Sequence, residues 1–238
     1  MTTIVKGQPT SAEVRAQLAA EGKPVLVAFS LGKDSIAAEL ALQDAGVETH
    51  LAHMYLIPDL EFVEQSRRRL EDQLGKPIKM YPHPSLWRML NALVWQPPER
   101  CEIIEAAQMP TIEYDDMWDL VKQDMGLPAD TWIADGVRAA DSIVRRASLT
   151  KHGVMKPRNR KVSVVHDWLV KEVRECIADH VVDLPIDYEW FGRSFDGIDA
   201  RFLLPIKEHA PADYQKILDW FPLAELEVMR SQMMREVA

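Results

Sequence analysis

The apolar residues of this chain follow two rhythms. Val25-Leu26-Val27-Ala28-Phe29 is continuously apolar and rich in β-formers, the pattern of a strand buried on both faces of a parallel sheet. Thr49 to Tyr55, Ile78 to Tyr81 and Trp132-Ile133-Ala134 read as further strands. Between them the spacing is helical: Ile36 to Ala45, stopped by Gly46, and about Asp59 to Leu74, stopped by Gly75 and Pro77. Thr10-Ser11-Ala12-Glu13 has the spacing of a capping box and opens a short helix through Ala20. Pro84 to Leu127 is helical with breaks at Pro97-Pro98 and Pro110, and His166 to Val181 is helical again. Strands alternating with helices in this order predict an α/β fold with a doubly wound, mainly parallel sheet. Residues 1–182 are expected to form this domain. Residues 183–238 form an irregular, mostly helical C-terminal lobe, rich in aromatic and turn residues and closed by a helix from about Leu223.

In a doubly wound sheet, ligands sit beyond the carboxyl ends of the strands. Two segments leave such ends. Ser30-Leu31-Gly32-Lys33-Asp34-Ser35 joins the first strand to a helix, where unpaired N–H groups and the helix dipole attract phosphate. Gly32 permits close backbone approach, Lys33 brings a point charge, and Asp34 is a candidate magnesium ligand. A Walker A loop would need Gly at 27 and Ser or Thr at 34, where Val27 and Asp34 stand; a dinucleotide fingerprint needs more than one glycine. The second segment, Gly136 to Arg145, carries Arg138 and Arg145, each suited to bidentate contact with phosphate or sulfate. Arg146 and the basic stretch Lys151 to Lys161, read as a mobile loop, extend it.

The formal charge of -9, from 28 Lys+Arg against 37 Asp+Glu, disfavours non-specific attraction to nucleic acid or to an anionic membrane. Apolar runs are far shorter than the roughly 20 residues of a membrane span and no signal pattern opens the chain, so a cytoplasmic location is expected. Two distant cysteines, Cys101 and Cys176, lead to the expectation of neither an iron–sulfur cluster nor structural zinc. Cys101 is read as a buried thiol, and the shared helix face of Cys176 and His180 as chance spacing.

The loop Ser30 to Ser35 resembles the Ser-x-Gly-x-Asp-Ser pyrophosphate loop of the PP-loop (adenine nucleotide α-hydrolase) superfamily, in its phosphoadenosine phosphosulfate (PAPS) reductase and sulfate adenylyltransferase small-subunit branch. Leu31 stands where many members have Gly. Gly136 to Arg145 resembles the Gly-x-Arg-x-x-x-Ser-x-x-Arg segment of that branch. The resemblance implies a five-stranded sheet, and adenine near Met54 and Tyr55. It implies attack on the α-phosphate of ATP with magnesium, pyrophosphate leaving. Ser30, Leu31, Gly32, Lys33, Asp34, Ser35, Met54 and Gly136 would bind the nucleotide, with Lys33 and Arg138 catalytic. Arg138, Arg145 and Arg146 would hold a small anionic or acid acceptor. The absence of cysteine from Leu223 to Ala238 argues against thiol-dependent reduction, which leaves adenylyl transfer or ATP pyrophosphatase activity as the expectation. The second reading is a non-catalytic module binding a nucleotide or sulfonucleotide, or supporting a partner subunit; the oligomeric state stays open.

Overall fold

The computed structural model describes residues 5–237. Packing divides the described chain into two units, each drawn from several stretches of sequence: residues up to Met54 with Arg69–Tyr81 and Trp118–Leu184, and Tyr55–Arg68 with Pro82–Met117 and the residues from Pro185 onward. The sequence suggested a single cut after residue 182.

The first unit holds the sheet. Helix α1 (Ser11–Glu21) begins at a capping box in which the Glu13 N–H donates to Thr10 Oγ1 and the Thr10 N–H to Glu13 Oε2. Then follow β1 (Val25–Ala28), α2 (Lys33–Asp44), β2 (Thr49–Tyr55), α3 (Glu61–Leu74) and β3 (Ile78–Pro82). Beyond α4 (Pro84–Asn91), α5 (Pro98–Ala107) and α6 (Tyr114–Asp124) come β4 (Trp132–Asp135), α7 (Ile143–His152), β5 (Met155–Lys156), β6 (Lys161–Ser163) and α8 (Val170–Asp179). The strand order is β3-β2-β1-β4-β6-β5. β1 is parallel to β2 and β4, and β4 to β6; β5 is antiparallel to β6. The core lies where Leu26, Val27, Ile133 and Ala134 of the central strands meet Ile36, Leu40 and Val173 of the flanking helices.

This order fixes the place of the site. From β1 the chain winds outward to β2 and β3, then returns to lay β4 on the other side of β1. The winding therefore reverses between β1 and β4, and the loops leaving their carboxyl ends flank that switch point.

The sheet has six strands, one more than expected. The sequence itself placed four, and the other two come from the basic stretch read as a mobile loop: Lys151 and His152 end α7, Gly153 turns the chain at φ 83°, and β5 and β6 form a short hairpin. Arg160, in the turn of that hairpin, lies over the Trp132 ring at 5.2 Å.

Glu39 of α2 is fully buried and would be costly alone. It accepts from Thr49 Oγ1 at 2.8 Å and Lys76 Nζ at 2.7 Å, tying the helix to the start of β2 and to the turn before β3. At the end of α8, His180 Nδ1 faces the Cys176 carbonyl at 2.8 Å and Nε2 faces Asp44 Oδ1 of α2 at 3.0 Å. It is thus the carbonyl of Cys176, not its thiol, that meets His180; burial pushes the thiol up to about 11. Two acceptors favour the doubly protonated ring, so the Cys176 carbonyl first, and then Asp44, raise His180 above 6.5. A raised pKa means stability fully present below about 6.5 and lost as pH rises through the folded value. His180→Ala should therefore melt lower than the parent at pH 5.5, by the equivalent of under about 1 kcal/mol for so exposed a pair, and together with it at pH 9. A deficit of equal size at both pH values would sink the assignment.

In the second unit the C-terminal residues are more regular than expected. They form α9 (Asp187–Phe191), α10 (Ala200–His209), α11 (Pro211–Trp220), a 3-10 turn at Pro222–Ala224, and α12 (Glu225–Val237). Phe62, Trp190, Phe191, Phe195 and Phe202 pack as tilted and edge-to-face pairs with centroids 5.1–6.4 Å apart. Buried Asp213 accepts from the N–H groups of Glu61 and Phe62 and so caps α3 from α11.

Candidate functional site

The loop from β1 to α2 is shaped by its own short side chains. Ser35 Oγ donates to the Gly32 carbonyl at 2.8 Å and accepts from the Ser30 N–H at 3.1 Å; the Gly32 N–H points to Ser30 Oγ at 3.4 Å. The two serines thus cross-brace a turn that larger residues would prop open. Gly32 is the N-cap of α2 and makes no side-chain cap, so the positive end of the helix dipole opens onto the turn without a side chain in front of it.

Leu31 adopts φ 60°. Left-handed backbone costs a non-glycine residue about 1 kcal/mol or somewhat more. Its side chain is buried, and burying a leucine contributes roughly 1.5–3 kcal/mol. The burial outweighs the strain, which explains how leucine is tolerated at a position whose backbone suits glycine.

The loop after β4 presses directly on this turn. A Cβ built on Gly136 would lie 2.4 Å from the Asp34 carbonyl oxygen and 2.5 Å from its carbon, so only glycine permits the approach. Two residues on, the Arg138 side chain enters the same place and is 2% exposed. Its Nε lies 2.9 Å from Asp34 Oδ1, an ion pair without hydrogen-bond alignment, and its Nη2 donates to Asp141 Oδ1 at 2.5 Å. The buried Nη1 has no acceptor among the described residues. Lys33 Nζ donates to Asp34 Oδ2 at 2.6 Å, and Arg145 Nη1 to Asp141 Oδ2 at 2.5 Å. Lys33, Asp34, Arg138, Asp141 and Arg145 therefore form one chain of alternating charge with a surplus of one positive charge.

The candidate residues Ser30, Leu31, Gly32, Lys33, Asp34, Ser35, Gly136, Arg138 and Arg145 are thus brought together. Arg146 is not: its Nε turns back to the Ala139 carbonyl at 3.4 Å. Met54, half-exposed, lies on β2 two residues beyond the last residue paired with β1. Cys101 is half-buried rather than buried, its thiol directed at the Pro97 carbonyl at 3.4 Å.

Two acidic residues were not foreseen. Asp141 stands three residues after Arg138 and four before Arg145, a spacing that hints at shared ion pairing. Asp135, at the end of β4, accepts from the Val137 N–H at 3.1 Å and from the Ser163 hydroxyl; burial pushes its carboxyl above the ordinary range.

Fold and loop together define an α/β domain with a serine-braced turn at its switch point, packed against the loop after β4. No family profile and no curated protein matches the chain. Its neighbours among solved structures are PP-loop superfamily members. They include a PAPS reductase from Candida auris in a phosphate complex, at 11% identity over 76% of this chain and 84% of that one, with a TM-score of 0.45. An NAD+ synthetase from Burkholderia pseudomallei shares 15% identity over 73% of this chain and 67% of its own, with a TM-score of 0.37. The U34-tRNA thiolase NcsA from Methanococcus maripaludis shares 12% identity over 90% of this chain and 79% of its own, with a TM-score of 0.38. At such identities the likeness is one of fold alone. Among the described residues no helix is long and apolar enough to cross a membrane.

The cofactor expectation is corrected. The neighbour NcsA is described with its 4Fe–4S cluster, whereas among the described residues of this chain no group of three or more His, Cys, Asp or Glu side chains is gathered as a metal site. Counting the cysteines of one chain bounds only what that chain holds by itself and is silent on thiolates from a second copy. The assignment of magnesium to Asp34 is withdrawn as well, because both oxygens of that carboxylate face cations, Lys33 and Arg138.

Proposed function

We propose that this chain binds ATP or a related adenine nucleotide at the Ser30–Ser35 turn and acts at the α-phosphate, transferring the adenylyl group or releasing pyrophosphate. The observation that carries the reading is the contact of Gly136 with Asp34, which seats the buried Arg138 guanidinium, with its unmatched Nη1, against the turn. A buried donor without an acceptor is costly, and an anionic oxygen of a ligand would satisfy it.

In this reading the first N–H groups of α2 and the Lys33 ammonium hold the leaving pyrophosphate. Arg138 and Arg145 orient an acid or anion whose oxygen forms the new bond to the α-phosphorus as the bond to the β-phosphate oxygen breaks. Met54 lies on the strand near the expected adenine.

The test is titration calorimetry with ATP, AMP and pyrophosphate, followed by pyrophosphate release in the presence of candidate acids such as sulfate. Wild type should bind ATP, and Lys33→Ala should bind it about 10- to 100-fold more weakly, the range for losing a charged hydrogen bond. No affinity for any adenylate, or unchanged affinity in Lys33→Ala, would refute the reading. Tight binding with no release under any acceptor would reassign the chain as a non-catalytic nucleotide-binding module.

A further inference from the structure

Within the alternating charge chain, Asp141 has a place that neither arginine explains. Its two oxygens are divided: Oδ1 accepts from Arg138 and Oδ2 from Arg145, each at 2.5 Å. The two arginines differ sharply in freedom. Arg138 is enclosed, whereas the Arg145 side chain is 52% exposed on the first turn of α7. An exposed arginine has large rotamer entropy, and ordering it weakens any contact it makes to a ligand. Asp141 orders it beforehand by tethering one end of its guanidinium to a group already fixed in the core. The backbone supports the tether: the hydroxyl of Ser142, the N-cap of α7, accepts from the Arg145 N–H at 3.1 Å.

We infer that Asp141 is a positioning residue, which couples Arg145 to Arg138 so that the two guanidiniums act as a single clamp on one anionic group. The inference rests on the nucleotide reading above. It adds that the clamp is built before the ligand arrives, and that the carboxylate between the arginines favours anion binding despite its own negative charge. The opposing effect is Coulomb repulsion between Asp141 and the ligand. Each oxygen of Asp141 faces a guanidinium, so its charge is locally compensated and the ordering effect prevails.

A double-mutant cycle decides the matter, with ATP and inorganic pyrophosphate as calorimetric probes and melting temperature as the check on folding. Asp141→Asn keeps the shape and removes the charge. It should bind about 10-fold more weakly, Arg145→Ala should do the same, and the double variant should be no weaker than about 20-fold, because both substitutions dismantle one clamp. Asp141→Glu should recover part of the affinity. Losses that multiply to about 100-fold, or an Asp141→Asn protein that binds as well as or more tightly than wild type, would overturn the inference. Should Asp141→Asn fail to fold, Arg145→Gln serves alone: unchanged affinity there overturns the clamp. Wild-type protein that binds neither probe would fail the nucleotide reading and the clamp together, whereas wild-type binding with additive losses fails the clamp only.

Discussion

Gly136→Ala is expected to cost about 3 kcal/mol of stability or more and to abolish nucleotide binding. The added methyl would overlap the carbonyl oxygen and carbon of Asp34, 2.4 and 2.5 Å away. Overpacking costs typically 1–3 kcal/mol when side chains can yield. Here the opposing atoms are backbone, held on one side by β4 in the sheet and on the other by the first turn of α2, so the upper end applies. For a chain of this length that corresponds to a melting temperature lower by roughly 6–12 °C. The loss of binding follows from the same displacement: separating the two loops by even an ångström withdraws Arg138 from the turn it completes. Gly197→Ala is the control, since a Cβ there meets nothing nearer than 3.5 Å and the backbone is not left-handed. It should fall within about 0.5 kcal/mol of wild type. A Gly136→Ala protein that melts within about 2 °C of wild type and binds ATP normally would mean that the two loops do not meet as described.

That contact was partly legible in the sequence. The strand, the turn and the glycine after β4 announce themselves because each depends on local composition: an apolar run, small hydroxylated residues, and a residue without a side chain. The meeting of the two turns follows from strand order, which alternating helices and strands predict only as a class. What failed to show were features made by long-range pairing. β5 and β6 are two and three residues long, too short for any periodicity, and exist because β6 finds β4 and β5 finds β6. Asp141 looked like one acidic residue among 37, since its role depends on where two guanidiniums arrive in space. The second unit, drawn from several stretches of sequence, was hidden for the same reason: Phe62 belongs with Trp190 and Phe195 through ring packing, more than a hundred residues apart in the chain. Leu31 shows the converse. A glycine would have advertised the left-handed turn, and leucine, stabilised there by its burial, conceals it.

Arg138→Met should separate the two roles of the buried guanidinium, structural and functional. Removing it leaves Asp34 with Lys33 alone and Asp141 with Arg145 alone, each partly enclosed. Breaking a buried pair from one side costs about 3–5 kcal/mol when the remaining charge is fully enclosed. Asp34 and Asp141 retain 28% and 18% side-chain exposure and one cation each, so about 2–3 kcal/mol is expected by chemical denaturation. ATP affinity should drop by about 100-fold, the loss of a charge-assisted contact that a methionine cannot replace. The companion variant Arg138→Met/Asp34→Asn distinguishes the two contributions. Neutralising Asp34 removes a carboxylate left half-paired beside the apolar side chain, so stability should recover by about 1 kcal/mol. Affinity should not recover with it, since no donor has returned to the turn. Arg138→Lys should fold better than Arg138→Met yet still bind weakly, because a single ammonium cannot span Asp34, Asp141 and a ligand oxygen as the guanidinium fork does. If affinity returned together with stability in the double variant, Arg138 would be a scaffold for the turn and the ligand's charge would be met elsewhere, by Lys33 and the helix terminus.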